Sequence, residues 1–223
     1  MQQFFTYDYT GDPFIFFGAA HLGALLVIIL LNLFLLRYRN KDEITRKKVR
    51  IILTVILLLD ESAWHIWNIV HGTWNIQEHL PLHACSILIW LAGVMLLFKN
   101  YTVYEFSYFM GIGGAIQALL TPDIGIYGFP HFRFIQTFIS HGLLITATIY
   151  MTTVEGFRPT WRSLKKVIIG LNIYMVVIFV VNQIIGSNYL FVACKPPVRP
   201  YWMFCRIRPG IYSLSKPSVC LYS

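Results

Sequence analysis

Residues 79–98, HLPLHACSILIWLAGVMLLF, join a cluster of reactive side chains to a long apolar run. Two histidines flank Pro81, and Cys85 follows the second of them, His83, by two positions. Proline is favoured at the first position of a helix, because the N–H that it lacks would be unpaired there in any case. The stretch therefore predicts an apolar helix over residues 81–98 with Cys85 in its second turn.

Apolar runs of this kind occur six times along the chain. Of its 223 residues 57% are hydrophobic and only 13% are charged, about half the charged share of a soluble domain. A helix needs about 20 apolar residues to cross a hydrocarbon core of ~30 Å. The runs are continuous, whereas the strands of a membrane barrel alternate with a period of two. The sequence predicts an all-α, polytopic transmembrane helical bundle that forms one domain over residues 1–190. The predicted spans are 14–36, 51–72, 81–98, 103–122, 132–153 and 167–187.

The distribution of basic residues gives the orientation of this bundle. Seven Lys and Arg lie between the first two spans, one follows the third and four follow the fifth, whereas the opposite loops hold only Arg133. Basic residues concentrate in cytoplasmic loops. The pattern predicts an N-terminus outside the cell and a cytoplasmic 37–50 loop. The net charge of +8 is thereby accounted for by topology, and no nucleic-acid partner is predicted.

The second span carries Asp60 and Glu61 near its middle. Each ionisable residue at the bilayer centre costs ~2.5–3.5 kcal/mol on insertion scales, so such residues usually face a cavity or a partner and mark function. Glu61 and His65 are four residues apart and are expected to touch, on a face that Asp60 does not share. A carboxylate beside an imidazole fixes the tautomer and raises the basicity of the ring. The alternative is a structural pair that locks the bundle.

Five polar side chains on five spans are predicted to lie at one depth. At ~1.5 Å rise per residue they fall roughly 3–8 Å to the outer side of their helix midpoints, although three of these helices run inward and two outward. This favours a shared polar cavity in the outer half of the bilayer over scattered packing contacts, which remain the alternative for a lone histidine or cysteine. The five are His21, His65, Cys85, Gln117 and His141.

A thiol with an imidazole base is the minimal apparatus of covalent acyl transfer. The unpaired amides at the start of a helix favour the thiolate of Cys85. His83, two residues away, lies on nearly the opposite face and is a poor candidate for its base, whereas the spacing leaves His21, His65 and His141 open. A zinc site would need one ligand per helix with no supporting spacing, so neither a metal nor another cofactor is predicted.

A family resemblance narrows this choice. At LPLHACS (80–86) and FPHFRFIQTFISHG (129–142) the sequence resembles the YwaF-type bacterial integral membrane proteins. That family is distantly similar to a eukaryotic acyltransferase for ether lysophospholipids and to the androgen-induced membrane hydrolases. The resemblance covers about residues 10–197. It implies Cys85 as nucleophile, His141 as base and a bacterial plasma membrane as the location.

The C-terminus departs from the YwaF-type pattern. Members of that family usually end with a seventh apolar helix, whereas residues 191–223 form a basic, proline-rich tail that holds three of the four cysteines. Such a segment cannot span a membrane. We expect an aberrant tail, produced by a shifted reading frame from about Cys194, in place of the seventh span.

Three functions compete at this point. The first is a membrane-embedded acyltransferase or lipid esterase whose partners are phospholipids or lysolipids, in which Cys85 and His141 react. Its supporting or substrate-binding residues would be His21, Glu61, His65, His83 and Gln117. The second is a small-solute or ion transporter, which predicts that polar groups continue into the inner half; only Asn32, Thr148, Thr152 and Asn172 do so, which disfavours it. The third is a non-catalytic membrane partner or sensor.

Overall fold

The computed structural model describes residues 3–193, which are helical and contain no strand. The all-α prediction is confirmed, and each of the six predicted spans corresponds to a helical segment. A π-helical turn, Ser107–Gly111, joins α4 to α5, so that these two helices together form the fourth segment. The helices are α1 (Ala19–Leu35), α2 (Glu43–Val70), α3 (Ala84–Phe98), α4 (Tyr101–Phe106), α5 (Ile112–Leu120), α6 (Phe132–Thr153) and α7 (Trp161–Ile185).

Three of these helices are both long and apolar enough to cross a bilayer. They are α6, α7 and α1 with its 3₁₀ extension to Tyr38, and α3 is a shorter apolar helix of 15 residues. The chain is therefore a multi-pass helical membrane protein. The predicted aberrant tail from Cys194 onward, and the seventh span that it would replace, lie outside the described residues.

The start of α3 corrects the prediction. The helix begins at Ala84, with His83 as its N-cap, so Cys85 stands in the first turn and not in the second. Two tyrosine hydroxyl groups, one in α7 and one just after it, hold the preceding residues in a non-helical turn. Leu80 N–H donates to Tyr189 Oη (2.8 Å), and Leu82 C=O accepts from Tyr174 Oη (2.8 Å). These bonds compete with the helix at Pro81.

Side-chain caps lengthen two other helices beyond their apolar runs. Asp42 accepts a hydrogen bond from Thr45 N–H and starts α2 at Glu43, eight residues before the predicted span. Thr160 and Ser163 form a reciprocal capping box that starts α7 at Trp161. A cap satisfies amides that have no partner within the helix. Polar turns of helix therefore precede both predicted spans.

Helix α6 is the centre of the bundle, packed against α1, α2, α3 and α5. It is buried along most of its length, whereas α1 and α7 expose most of theirs. Small residues let the neighbours approach closely: a Cβ at Gly142 would lie 2.8 Å from Ile28 Cδ1 of α1. Small side chains at helix contacts are typical of membrane bundles.

A buried carboxylate joins the N-terminal part of α2 to the C-terminal ends of α3 and α6. Glu155, just after α6, forms ion pairs with Arg50 of α2 and with Lys99 after α3 (2.7 Å). Glu43 completes this group, which we call the Glu155 cluster, through pairs with Arg50 (3.0 Å) and Lys99 (2.8 Å). The hydrogen bond from Lys99, assisted by Arg50, lowers the pKa of Glu43 to about 2. Both carboxylates therefore face cations that α2 and α3 supply.

The N-terminal segment covers the opposite end of the bundle. Phe4 C=O accepts from Phe132 N–H (2.9 Å), Phe5 C=O from Trp67 Nε1–H (2.8 Å) and Thr6 C=O from the ring of His131 (2.9 Å). These three bonds join the segment to α2 and to the start of α6. The segment thereby forms one wall of the cavity found at that end.

Candidate active site

A contact between three helices fixes the depth of the candidate site. Leu88 of α3 and Leu144 of α6 meet over Gly111: a Cβ there would lie 3.6 Å from Leu88 Cδ1 and 3.7 Å from Leu144 Cδ1. Leu88 is 3% exposed and Leu144 is fully buried. This contact therefore forms a closed apolar floor.

Cys85, Gly114 and His141 lie one turn above this floor. Each is three residues from a member of the floor, towards the same end of the bundle, which is about 4.5 Å along a helix. Residues three apart share a helix face. The contact between α3 and α5 is direct, because a Cβ at Gly114 would lie 3.2 Å from Cys85 Sγ. We call these three residues the Cys85 level.

The thiol of Cys85 is half-buried and makes no hydrogen bond to any described residue. It occupies the second position of α3, where backbone N–H groups have no partner within the helix. The sulfur is thus held against α5, with its reactive atom unengaged by neighbouring side chains.

His141 presents a defined tautomer. Its Nδ1 lies 2.9 Å from Thr137 C=O and 3.3 Å from Ser140 Oγ. A carbonyl only accepts, so Nδ1 carries the proton and the lone pair is on Nε2. Of residues 140–148, His141 is the only one that is not buried; it is partly exposed. The imidazole therefore has a basic nitrogen and a space beside it.

Two neighbouring glycines test the importance of this level. Gly114→Ala places a methyl group 3.2 Å from Cys85 Sγ, tighter than an ordinary contact, whereas Gly113→Ala meets nothing within 4 Å. We expect Gly114→Ala to slow alkylation of Cys85 by about tenfold, since small displacements at a reacting centre are costly. Gly113→Ala makes the same gain in helix propensity, up to ~1 kcal/mol, and is the matched control. Equal alkylation rates for the two variants would contradict the arrangement.

Two of the predicted site residues are engaged elsewhere. His21 is fully buried; its Nε2 lies 2.8 Å from Leu119 C=O, and its Nδ1 accepts from Phe17 N–H (2.9 Å). Nε2 therefore fastens α1 to the end of α5, whereas Nδ1 holds the turn that precedes α1. His83 accepts a long bond (3.4 Å) from Leu190 N–H and packs edge-on against Tyr189. Neither side chain is hydrogen-bonded to Cys85 or His141.

Glu61 and His65 form the predicted pair. Their Oε1 and Nε2 atoms are 3.8 Å apart, and Nδ1 of His65 accepts from Trp74 Nε1–H (3.2 Å). The His65 ring also faces Trp90 of α3 at 6.4 Å between centroids. Within residues 3–193, no three His, Cys, Asp or Glu side chains lie close enough together to hold a metal ion.

Gln117 lies three residues beyond Gly114 on α5 and is exposed. Its side-chain amide forms no hydrogen bond with any described residue, while its backbone C=O accepts from Thr121. Because residues three apart share a face, this amide is placed above the Cys85 level.

The structure adds a polar network that sequence reasoning missed. Arg133 donates to Gln136 Oε1 (2.6 Å), and Gln136 Nε2 donates to Asp60 Oδ2 (3.4 Å). The guanidinium also stacks on Trp64, with its Cζ 3.7 Å from the ring centroid. The sequence signal was present in Asp60, whose cost at mid-bilayer calls for a partner. Arg133 was read only as a loop charge.

Polar groups further inward each bond to a carbonyl of their own helix. Asn32 donates to Ile28 C=O, Thr148 to Leu144 C=O, Thr152 to Thr148 C=O and Asn172 to Ile168 C=O, all at 2.7 to 3.0 Å. Such bonds to the carbonyl four residues earlier are local. Two of these side chains also bond across helices: Asn32 donates to Thr146 Oγ1 of α6 (3.0 Å), and Thr152 Oγ1 lies 3.0 Å from Tyr104 Oη of α4.

The fold defines a polytopic helical membrane protein, and Cys85 and His141 lie on two of its adjacent helices, α3 and α6. The sequence model of the TMEM164 family matches residues 16–210, and the chain belongs to that family. No curated protein and no solved structure gave a match. The relationship to the YwaF-type proteins stays a prediction.

Proposed function

We propose that this protein is a membrane-embedded acyltransferase or lipid esterase, with Cys85 as nucleophile and His141 as general base. The observation that carries the proposal is the Cys85 level: a thiol that lies against Gly114 and an imidazole on the adjacent helix α6, each three residues from the buried Leu88–Leu144 contact. Given the predicted orientation, this level lies in the outer leaflet of a bacterial plasma membrane. The partners are phospholipids and lysolipids.

The chemistry follows from the two side chains. His141 Nε2 takes the proton of the Cys85 thiol as the sulfur attacks an ester carbonyl, and the tetrahedral intermediate collapses with cleavage of the C–O bond. The imidazolium returns its proton to the departing lysolipid oxygen, which leaves an acyl thioester. A hydroxyl of an acceptor lysolipid, or water, then gives its proton to His141 and attacks the thioester, which restores the thiol. The two side chains are not hydrogen-bonded in this structure; such contacts tighten when substrate binds.

Gln117 is the proposed donor to the oxyanion. Its free amide stands above Gly114, on the helix that supports the sulfur. A preorganised donor aimed at developing charge is often the largest single contribution to catalysis. The Glu61–His65 pair lies between α2 and α3 and is assigned to orienting the substrate.

A transporter is the second candidate, and two observations disfavour it. Leu88 and Leu144 are apolar and buried beneath the Cys85 level. The donors of the inner side chains Asn32, Thr148 and Thr152 are engaged with carbonyl or hydroxyl oxygens of the protein and not with a permeating solute. Both observations support a reaction in the outer half over permeation.

Site-resolved alkylation tests the proposal. The purified chain is treated with a long-chain alkyl chloroacetamide, and the rate at each cysteine is followed by peptide mass spectrometry. We expect Cys85 to react about tenfold faster than Cys194, Cys205 and Cys220, because a thiolate and not a thiol is the nucleophile. His141→Gln should remove that advantage. A Cys85 rate no faster than those of the tail cysteines, and insensitive to His141→Gln, would reject the pair.

A further inference from the structure

A polar cavity of about 280 Å³ opens where α2 ends and α6 begins. Its walls come from α2, from the loops before α3 and α6, and from the N-terminal segment. Arg133 lines it together with four aromatic residues and two acidic residues. These six residues are Tyr7, Trp64, Trp67, Glu78, Asp123 and Tyr127. The cavity therefore carries one fixed cation, two acids and a wall of aromatic faces.

Arg133 retains hydrogen-bonding capacity towards the cavity. One of its nitrogens, Nη1, donates to Gln136, and the planar group rests on Trp64. Among the described residues the guanidinium makes no other hydrogen bond and no ion pair within 4 Å. An arginine presents five N–H donors in a rigid fork that matches phosphate oxygens. Its remaining donors are thus available to an anionic group in the cavity.

The aromatic residues of the cavity suit a cation. Trp67 stacks on Trp64 at 5.7 Å and on Tyr7 at 5.6 Å between ring centroids, and Tyr127 meets Trp67 edge-on at 6.0 Å. Burial, with a contribution from Tyr7, raises the pKa of Tyr127 to about 12, so this phenol stays neutral. Substituted ammonium groups bind over such aromatic faces. Glu78 and Asp123, both exposed, add negative charge at the mouth.

We propose that this cavity binds the zwitterionic headgroup of a phospholipid, with the phosphate on Arg133 and the ammonium group among the aromatic rings, Glu78 and Asp123. This assignment rests on the proposed function, because it names the headgroup class of the lipid whose ester reacts. A lipid is favoured over a soluble phosphate ester by the cluster of Trp and Tyr, which is typical of the membrane–water interface.

The distance to the Cys85 level fits such a lipid. The guanidinium reaches Gln136, and from Gln136 to His141 the axis of α6 rises about 7.5 Å at ~1.5 Å per residue. A glycerol backbone separates a phosphate from an ester carbonyl by a length of this order. One molecule can therefore hold its phosphate on Arg133 while its ester lies beside His141.

Binding, measured without turnover, tests the proposal separately from catalysis. Cys85→Ala protein in detergent micelles is titrated with short-chain phosphatidylcholine, short-chain phosphatidylglycerol and free phosphocholine, and Kd is read by thermophoresis. We expect phosphatidylcholine to bind at least about tenfold more tightly than the other two ligands. Arg133→Gln should weaken it by about tenfold or more, as for a lost charge-assisted hydrogen bond. Arg162→Gln, at an exposed arginine in the first turn of α7, is the matched control and should change nothing.

Asp123→Asn is a second variant, which tests the site even if the Arg133 variant misfolds. Asp123 is exposed and its side chain forms no hydrogen bond with a described residue, so the exchange leaves the fold intact. The exchange should weaken the binding of phosphatidylcholine and leave the Kd of phosphatidylglycerol unchanged. Equal affinities for the two lipids, or an unchanged Kd in both variants, would overturn the headgroup site. Phosphocholine binding as tight as the lipid would overturn the lipid assignment, and neither outcome would bear on Cys85 alkylation.

Discussion

Cys85→Ala is expected to lower acyl transfer or ester hydrolysis at least about 10⁴-fold, to the uncatalysed background. The substitution removes the atom that forms the covalent intermediate, and loss of a nucleophile from a catalytic pair typically abolishes almost the whole rate enhancement. Alanine fits the half-buried position against Gly114, so the helix contact survives. The measurement is release of labelled fatty acid, or its transfer to a lysolipid, by the purified protein in vesicles.

The base is tested beside the nucleophile. His141→Gln should lower the rate about 10²- to 10⁴-fold, the usual contribution of a positioned base. His65→Gln is the matched comparison, because His65 is the other half-buried intramembrane histidine that was open as a base. Unchanged activity in Cys85→Ala would reject the enzyme proposal outright. A loss in His65→Gln with none in His141→Gln would keep the nucleophile and move the base.

The helices were predictable because apolar length and charge placement are local properties of the chain. The fifth predicted span, 132–153, coincides with α6. The starts of α2, α3 and α7 were missed for physical reasons that hydropathy does not contain. Side-chain caps extended two of them, and tyrosine hydroxyl groups from distant segments delayed the third. Such bonds depend on which residues meet in three dimensions.

Depth along a helix can be predicted from residue spacing, but the direction of a side chain around the helix axis cannot. His21 and His141 were assigned to one depth, yet His21 faces α5 and both of its nitrogens are engaged. The choice of His141 came from resemblance, whereas the structural reason for it is the step of three residues from the Leu88–Leu144 contact. That contact depends on Gly111, and no periodicity in the sequence predicts that Leu88 and Leu144 meet there.

Arg133 shows how a single exception to a charge pattern can have a role of its own. It is the one basic residue that the sequence places in the loops opposite the cytoplasmic ones. The structure places its side chain along α6 towards Gln136 and Asp60, inside the bundle. The unexplained cost of Asp60 was the signal that pointed to a buried cationic partner.

Glu155→Gln is expected to destabilise the protein by about 3–5 kcal/mol, the usual cost of breaking a buried ion pair from one side. The carboxylate is 2% exposed and neutralises Arg50, which is itself 4% exposed. The Nε atom of Arg50 is already buried without a hydrogen-bond partner. Loss of the charge leaves a guanidinium that is screened only by Glu43. The measurement is reversible unfolding in mixed micelles, followed by circular dichroism.

Glu43→Gln is the matched control, because Glu43 faces the same cations as Glu155. It pairs with Arg46 (2.8 Å), Arg50 and Lys99, but half of its side chain is exposed. Exposed pairs contribute about 0–1 kcal/mol, since water screens the charges in both the folded and the unfolded state. We expect Glu43→Gln to stay within that range. Equal losses of stability in the two variants would show that the number of contacts, and not burial of the carboxylate, determines the strength of the Glu155 cluster. A larger loss in Glu155→Gln would show that the buried carboxylate determines it.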